Sequence, residues 1–161
     1  MDFEIGQVDS FTTGTVGPKG QRTFFLQAAV DGNVVSLKLE KQQVQAMAEH
    51  LENLLADLPE IDAQDWTSAP ALVEPIEAKW TVGAMGAMYD NGSDSIVVMA
   101  EEVVEDPDAD NAATATFLLR RSQTLAFIER ANEVVEAGRP PCVWCGRPLN
   151  HGEDGFCPCW N

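Results

Sequence analysis

Apolar positions recur at helical spacing in two stretches of the chain, 40–58 and 122–137. The first stripe consists of Val44, Met47, Ala48, Leu51, Leu54 and Leu55. Eighty positions later, the same offsets carry Thr124, Phe127, Ile128, Ala131, Val134 and Val135. Each pattern predicts an amphipathic helix with one face against a core. Ser122 is the predicted N-cap of the second helix, and Gly138 follows its predicted end.

Stretches rich in Thr, Val and Phe precede each predicted helix. Before the first helix, 3–8, 11–16, 22–30 and 34–39 have the composition of strands, with turns between them. Before the second helix, 80–85, 94–104 and 114–120 repeat the series. This order predicts an α+β fold of two tandem βββα units related by a pseudo-twofold axis. We expect the units to pack on each other, either as two small sheets or as one continuous sheet.

The chain divides into four predicted segments. Residues 1–58 form the first β-meander with its helix, and 79–138 form the second. Between them, 59–78 is a connector rich in proline and acidic residues, without apolar periodicity. We expect it to lie across the surface as a strap, anchored by Trp66. The last segment, 139–161, is a predicted zinc knuckle.

Composition narrows the range of partners. The chain has 161 residues, 45% of them hydrophobic, which is enough to build a core and excludes general disorder. It carries 26 acidic residues against 10 basic ones, for a formal net charge of −16. Nucleic-acid binding needs clustered basic side chains, so this balance argues against it. A protein partner, favoured if basic, fits the charge better.

The sequence also indicates a compartment. No apolar run is long enough to cross a bilayer, and residues 1–11 carry acids where a secretory signal needs basic and then apolar residues. We therefore expect a cytoplasmic protein without membrane association. In a reducing compartment, clustered cysteines favour a metal site over disulfides.

The four cysteines form the most chemically informative pattern in the chain. Cys142 and Cys145 make a Cys-x-x-Cys pair followed by glycine, and Cys157 and Cys159 make a Cys-x-Cys pair. A Cys-x-x-Cys-Gly turn lets two thiolates reach one tetrahedral ion, so the spacing predicts a Zn²⁺ site formed by all four thiolates. His151, six residues before Cys157, is the alternative fourth ligand.

Two functional hypotheses follow from this predicted site. Four thiolates leave no exchangeable water, so the first is a non-enzymatic zinc protein acting as a protein-interaction or regulatory module. The alternative is a zinc-dependent hydrolase or transferase, with three cysteines as ligands and an open fourth position. We identify no catalytic residue and no other cofactor motif. The only other histidine, His50, is predicted to be solvated on the flank of the first helix.

Three motifs occur together in the chain: FTTGTVGPKGQRTFFLQA at 11–28, LEKQQV at 39–44 and AGRPPCVWCGRPL at 137–149. Together they resemble an actinobacterial family of uncharacterised proteins, catalogued as a domain of unknown function, over nearly the whole chain. The resemblance implies a cysteine knuckle and a cytoplasmic setting, and it brings no established activity.

The tail pattern of that family has a Gly-His pair shortly before Cys-Pro-Arg, which implies three cysteine ligands and one histidine. Here Cys157-Pro158 matches, but Gly155-Phe156 stands where the Gly-His pair would be, and Cys159 replaces the arginine. The resemblance therefore leaves the ligand set open between the family's and one completed by Cys159.

Overall fold

Seven β-strands and two α-helices form the described part of the computed structural model, which comprises residues 2–18, 20–59, 68–105 and 112–137. In chain order they are β1 (Asp2–Gln7), β2 (Ser10–Val16), β3 (Thr23–Val30), β4 (Asn33–Leu39), α1 (Lys41–Ala56), β5 (Ala78–Asp90), β6 (Ser95–Glu102), β7 (Thr114–Leu119) and α2 (Arg121–Glu136). The predicted mixed α+β class is confirmed. Within these ranges, neither helix has the length and apolar character needed to cross a bilayer.

All seven strands belong to one sheet in the order β1-β7-β6-β5-β4-β3-β2. The pairs β1/β7 and β4/β5 are parallel, and the remaining pairs are antiparallel. Of the two arrangements that the sequence left open, the chain thus adopts the continuous sheet. The parallel β4/β5 pair joins the strands that precede α1 to those that follow it.

Val8 and Asp9 link the outermost strands of this order, β1 and β2. A flat seven-stranded sheet would hold its outer strands roughly 29 Å apart, at about 4.8 Å per spacing. The link can span at most about 11 Å, so the sheet must curve until its edges meet. At this junction the backbone N–H of Val8 donates to Leu118 O of β7 at 3.0 Å, and that of Asp9 donates to Ala29 O of β3 at 2.7 Å.

β5 provides a second bend in the sheet. Its first residues pair with β4, the rest pairs with β6, and the register shifts between Val82 and Ala84. Gly83 sits at this irregularity, where a Cβ atom would lie 2.8 Å from the Cα of Val103. The backbone N–H of Val103 donates to Thr81 O at 2.8 Å beside it. The close approach of two backbones explains why this position lacks a side chain.

The curved sheet and the helices enclose one apolar core. Alternation along the strands sorts the side chains, as on β6, where Ile96 and Val98 are buried and Met99 is 41% exposed. Phe11 of β2 contacts Phe117 of β7 and Phe127 of α2, with ring centroids 5.3 and 4.8 Å apart. One aromatic cluster therefore ties together elements from both ends of the chain.

α1 begins at a glutamine-centred hydrogen-bond arrangement. The backbone N–H of Glu40 donates to Gln43 Oε1 at 2.7 Å, which satisfies one of the free donors at the helix start. Gln43 Nε2 donates to Val82 O at 3.1 Å and to Gly83 O at 3.0 Å. The start of α1 is thereby attached to the bend in β5.

α2 begins in the same way, eighty positions later. The backbone N–H of Arg120 donates to Gln123 Oε1 at 2.9 Å, and Gln123 Nε2 donates to Val8 O at 2.9 Å and to Asp9 O at 3.3 Å. The prediction of Ser122 as the N-cap is wrong, because the N-cap residue is Arg120 and the helix starts at Arg121. The side chain of Gln123, at the third helical position, instead accepts the backbone N–H of the N-cap residue.

Candidate functional site

The predicted zinc ligands lie at the C-terminal end of the chain. Cys142, Cys145, Cys157 and Cys159, with the alternative ligand His151, all fall outside the described residues. Within the described ranges, no three side chains from histidine, cysteine, aspartate or glutamate come together as a metal site. The zinc site therefore stays a prediction from cysteine spacing.

A polar cleft opens at the start of α2. Its volume is about 670 Å³. Its walls come from the β1/β2 link, the turn between β5 and β6, residues 68–70, and the first turns of α2. The polar residues that line it are Asp9, Ser10, Ser68, Ser93, Asp94, Arg120, Arg121, Ser122 and Gln123. Two aspartates balance two arginines, so the cleft is polar without a strong net charge of its own.

Arg121 holds the base of this cleft together. Its Nε and Nη2 atoms lie 2.9 and 2.7 Å from Asp94 Oδ1, and its Nη1 donates to Pro59 O at 2.7 Å. The guanidinium also lies over the Tyr89 ring, 5.7 Å from its centroid. One side chain thus joins the start of α2, the hairpin between β5 and β6, and Pro59, three residues after the end of α1.

Arg120 differs from its neighbour in both exposure and pairing. Its side chain is exposed and forms no ion pair within the described residues. Of the two arginines at this cleft, it is the one that the described contacts leave unpaired. Adjacent arginines at the start of a predicted helix are noticeable in a chain with only 10 basic residues. The sequence carried that pattern, although no motif singled it out.

The contacts at the base of the cleft change the titration of Asp94. A hydrogen bond from the Tyr89 hydroxyl at 2.7 Å, followed by the hydrogen bond and charge of Arg121, lowers the pKa of the carboxyl below its ordinary value. Both interactions favour the ionised form. A carboxyl whose pKa is lower in the folded state stabilises the protein above its unfolded-state pKa of about 3.9, and that stabilisation is lost as the pH falls through the lower folded value.

We therefore expect Asp94→Asn to lower the urea midpoint at pH 7, with a smaller difference from wild type at pH 3. The amide cannot supply the charge that the neighbouring arginine pairs with. At pH 3, below the unfolded-state pKa of about 3.9, part of the stabilisation that the wild-type carboxylate provides is already lost. Glu52→Gln, at an exposed position on α1 without a hydrogen bond to a described residue, is the matched control. A wild-type minus Asp94→Asn difference of equal size at both pH values would contradict this assignment.

His50 and Arg130 occupy matching positions on the two helices, eighty residues apart. His50 Nε2 lies 2.9 Å from Ala87 O of β5, although the side chain is exposed. The expected solvated flank position is thus only partly right, because the ring also contacts a strand. Arg130 Nε donates to Thr13 O of β2 at 3.1 Å. Each helix holds a strand backbone through one long polar side chain, and neither residue is arranged as a catalytic base.

The described part of the predicted connector, 68–76, which we call the strap, crosses the outward face of β2 and β3. Thr12 Oγ1 donates to Pro70 O at 2.6 Å. Gln27 Nε2 donates to Val73 O at 3.0 Å, and the backbone N–H of Val73 donates to Gln27 Oε1 at 2.7 Å. A single carboxamide thus pairs with both backbone groups of a strap residue. The predicted anchor, Trp66, falls outside the described residues.

Close packing accompanies these hydrogen bonds. Leu72 lies over Gly14, where a Cβ atom would be 2.7 Å from Leu72 Cγ. Beneath the strap, Gln27 and Ser36 are each only 3% exposed, and Gln27 Nε2 also donates to Ser36 Oγ at 3.1 Å. Their burial carries little penalty because each has a hydrogen-bond partner. Gln27 and Ser36 lie on the outward face of their strands, and the strap above them comes from a distant part of the chain.

Comparison with known proteins supplies a family. No curated protein and no solved structure matched the chain. A family model described as "Protein of unknown function (DUF3090)" matches residues 3–157. The match spans nearly all of β1, every later described strand and helix, the strap and all but the last of the cysteines. The chain belongs to this family of unknown function.

Proposed function

We propose that this protein binds one zinc ion through its C-terminal cysteines and acts as a protein-interaction or regulatory module without catalytic activity. The observation that carries the proposal is the spacing of Cys142, Cys145, Cys157 and Cys159 within one short segment. Four thiolates complete the coordination shell of zinc, and such closed sites fold segments too short to fold alone. The proposal places the protein in the reducing cytoplasm, where the thiolates remain reduced.

The fourth ligand is the finest detail of the proposal. Cys142, Cys145 and Cys157 are common to the four-thiolate site and to the site completed by a histidine. Cys159 completes the four-thiolate site, and His151 is the alternative. We favour Cys159 because it lies two residues from Cys157, so both sulfurs reach the same ion over a short stretch of backbone.

Surface charge supports a protein partner. The net charge of −16 disfavours nucleic acid and favours a partner with a basic surface. The described body also exposes apolar side chains, with Val73 at 50% and Val103 at 53%. Single exposed apolar residues are ordinary. It is their combination with the proposed zinc segment that favours interaction over catalysis.

We further propose that the body is a duplicated βββα unit with pseudo-twofold symmetry. Matching hydrogen bonds support this: Gln43 and Gln123 sit at the third position of their helices and bond to a bend in the sheet. His50 and Arg130, also eighty positions apart, each contact a carbonyl of a strand. Two pairs of equivalent contacts at the same offset of eighty positions are the pattern expected of a duplicated unit.

Metal content is the first test of the zinc proposal. Reduced, untagged protein should contain about one zinc per chain, with thiols that react only after chelation. Cys142→Ser should lose most of its zinc and retain the unfolding transition of the body. His151→Gln is the matched control and should retain zinc if Cys159 is the fourth ligand. A metal-free protein with four freely reactive thiols would overturn the proposal.

Cobalt substitution separates the proposed module from the hydrolase or transferase alternative. A four-thiolate cobalt spectrum without an exchangeable ligand would support the closed site. An exchangeable water on the metal would favour the enzyme. Loss of partner binding in Cys142→Ser, with the body still folded, would then link the metal to the interaction.

A further inference from the structure

The outward face of β5, β6 and β7 is apolar and partly open. A groove of about 360 Å³ runs across it, lined by Ala84, Met85, Gly86, Met99, Ala100, Glu101, Thr114, Ala115 and Thr116. Met99 is 41% exposed at this groove, and Met88, further along β5, is 54% exposed. β5 and β7 present small side chains here, and the flexible side chain of Met99 lies between them on β6. Together they leave a depression that a chain segment can occupy.

On the other half of the sheet, the strap covers the outward face of β2 and β3. There the segment that follows α1 pairs with Gln27, packs Leu72 on Gly14, and places Pro75 and Ile76 beside Phe25. Beneath it, even polar side chains are buried. The two faces therefore differ in their cover, although their strands alternate in the same way.

The position of the helices identifies a counterpart of the strap. α1 ends at Ala56, and residues 57–77, which include the strap, separate it from β5. α2 ends at Glu136, and the chain continues beyond it. The matching attachments of Gln43 and Gln123 give the two helices equivalent places beside the sheet. The segment after α2 thus starts from a position equivalent to the start of the strap's path.

We propose that the C-terminal segment 138–161, which lies outside the described residues, docks on the outward face of β5, β6 and β7 as the strap docks on β2 and β3. Its composition suits this face. Val143, Trp144 and Leu149 supply apolar side chains for the methionines, and sulfur–aromatic contacts are favourable.

Charge complementarity supports the first part of this segment as the occupant. Residues 138–151 contain Arg139 and Arg147 and no acidic residue, whereas Glu153 and Asp154 follow in 152–161. Glu101 lines the groove and is exposed. This inference goes beyond the zinc proposal, because docking places the segment on its own body whether or not it holds a metal.

Photo-crosslinking of the full-length protein tests this docking. Benzoylphenylalanine at position 99, in place of Met99, should crosslink within one chain to peptides from 138–161. The same probe in place of Val16 is the positive control, because Val16 adjoins strap residues 74–76. At exposed Gln45 of α1 it should give no crosslink to either segment.

Each result decides the proposal. An intrachain crosslink from position 99 to 138–161 supports it, and Met99→Asp should then raise amide exchange in that segment at least about tenfold. Crosslinks between two chains would assign the face to a second copy and overturn the proposal. Absence of a crosslink at position 99, with the Val16 control positive, would also overturn it. Zinc content measured on the same samples keeps this outcome separate from the metal proposal.

Discussion

Replacing Phe11 with alanine should lower the free energy of unfolding by about 3–5 kcal/mol, the usual cost of emptying an aromatic site in a core. Phe11 is only 2% exposed. Its ring contacts Phe117 and Phe127 at centroid distances of 5.3 and 4.8 Å. β2, β7 and α2 meet at this ring, so the cavity would lie where three elements join and could not collapse without moving one of them.

Urea unfolding of Phe11→Ala, Phe11→Leu and Val16→Ala measures this effect. Leucine refills much of the space and should lose clearly less stability than alanine does. Val16 lies on the same strand but is 45% exposed, so its truncation should cost less than about 1 kcal/mol. For a chain of this size, the alanine variant should melt roughly 10 °C below wild type. If Phe11→Ala were no less stable than Val16→Ala, the aromatic cluster would not be the centre of the core.

Gln123→Ala should destabilise the protein by about 2–4 kcal/mol, more than an average point substitution. The side chain is 5% exposed. It accepts the Arg120 N–H and donates to the carbonyls of Val8 and Asp9. The bond to Val8 O is buried and the other two are partly buried. Alanine would leave the Val8 carbonyl without a partner, and a buried unsatisfied group costs about 1–3 kcal/mol.

Gln43→Ala provides an internal comparison. Gln43 makes equivalent bonds to Glu40, Val82 and Gly83, but its bond to Gly83 O is exposed, so water can replace part of what is lost. We expect a loss below that of Gln123→Ala. Gln45→Ala, at an exposed position on α1, should be close to neutral. If Gln123→Ala and Gln45→Ala lowered the free energy of unfolding equally, the bonds from Gln123 to the β1/β2 link would not hold the edges of the sheet together.

The helices show how much the local pattern could predict. The stretch 40–58 predicted α1, which runs from Lys41 to Ala56, because a stripe of apolar residues every three or four positions needs no distant information. The mixed class followed from the order of such stripes and strand-like runs. Gln43 and Gln123 are also eighty positions apart and therefore occupy equivalent positions in the two predicted helices. The apolar stripe did not predict their hydrogen bonds at the helix starts. The cysteine spacing is likewise a local signal, and it carries the zinc proposal.

The order of the strands and the closure of the sheet could not be predicted from the local pattern. Alternation tells which side chains share a face of a strand, but every strand in a sheet alternates alike, so the pattern does not name its neighbours. The β1/β7 and β4/β5 pairs join residues far apart in sequence, and their backbone hydrogen bonds are the same for any side chain. The burial of Gln27 follows from a strap that arrives from more than forty positions away. Composition and periodicity therefore determined the elements and their inward faces, whereas the sheet order, its curvature and the cover over each face arose from long-range packing.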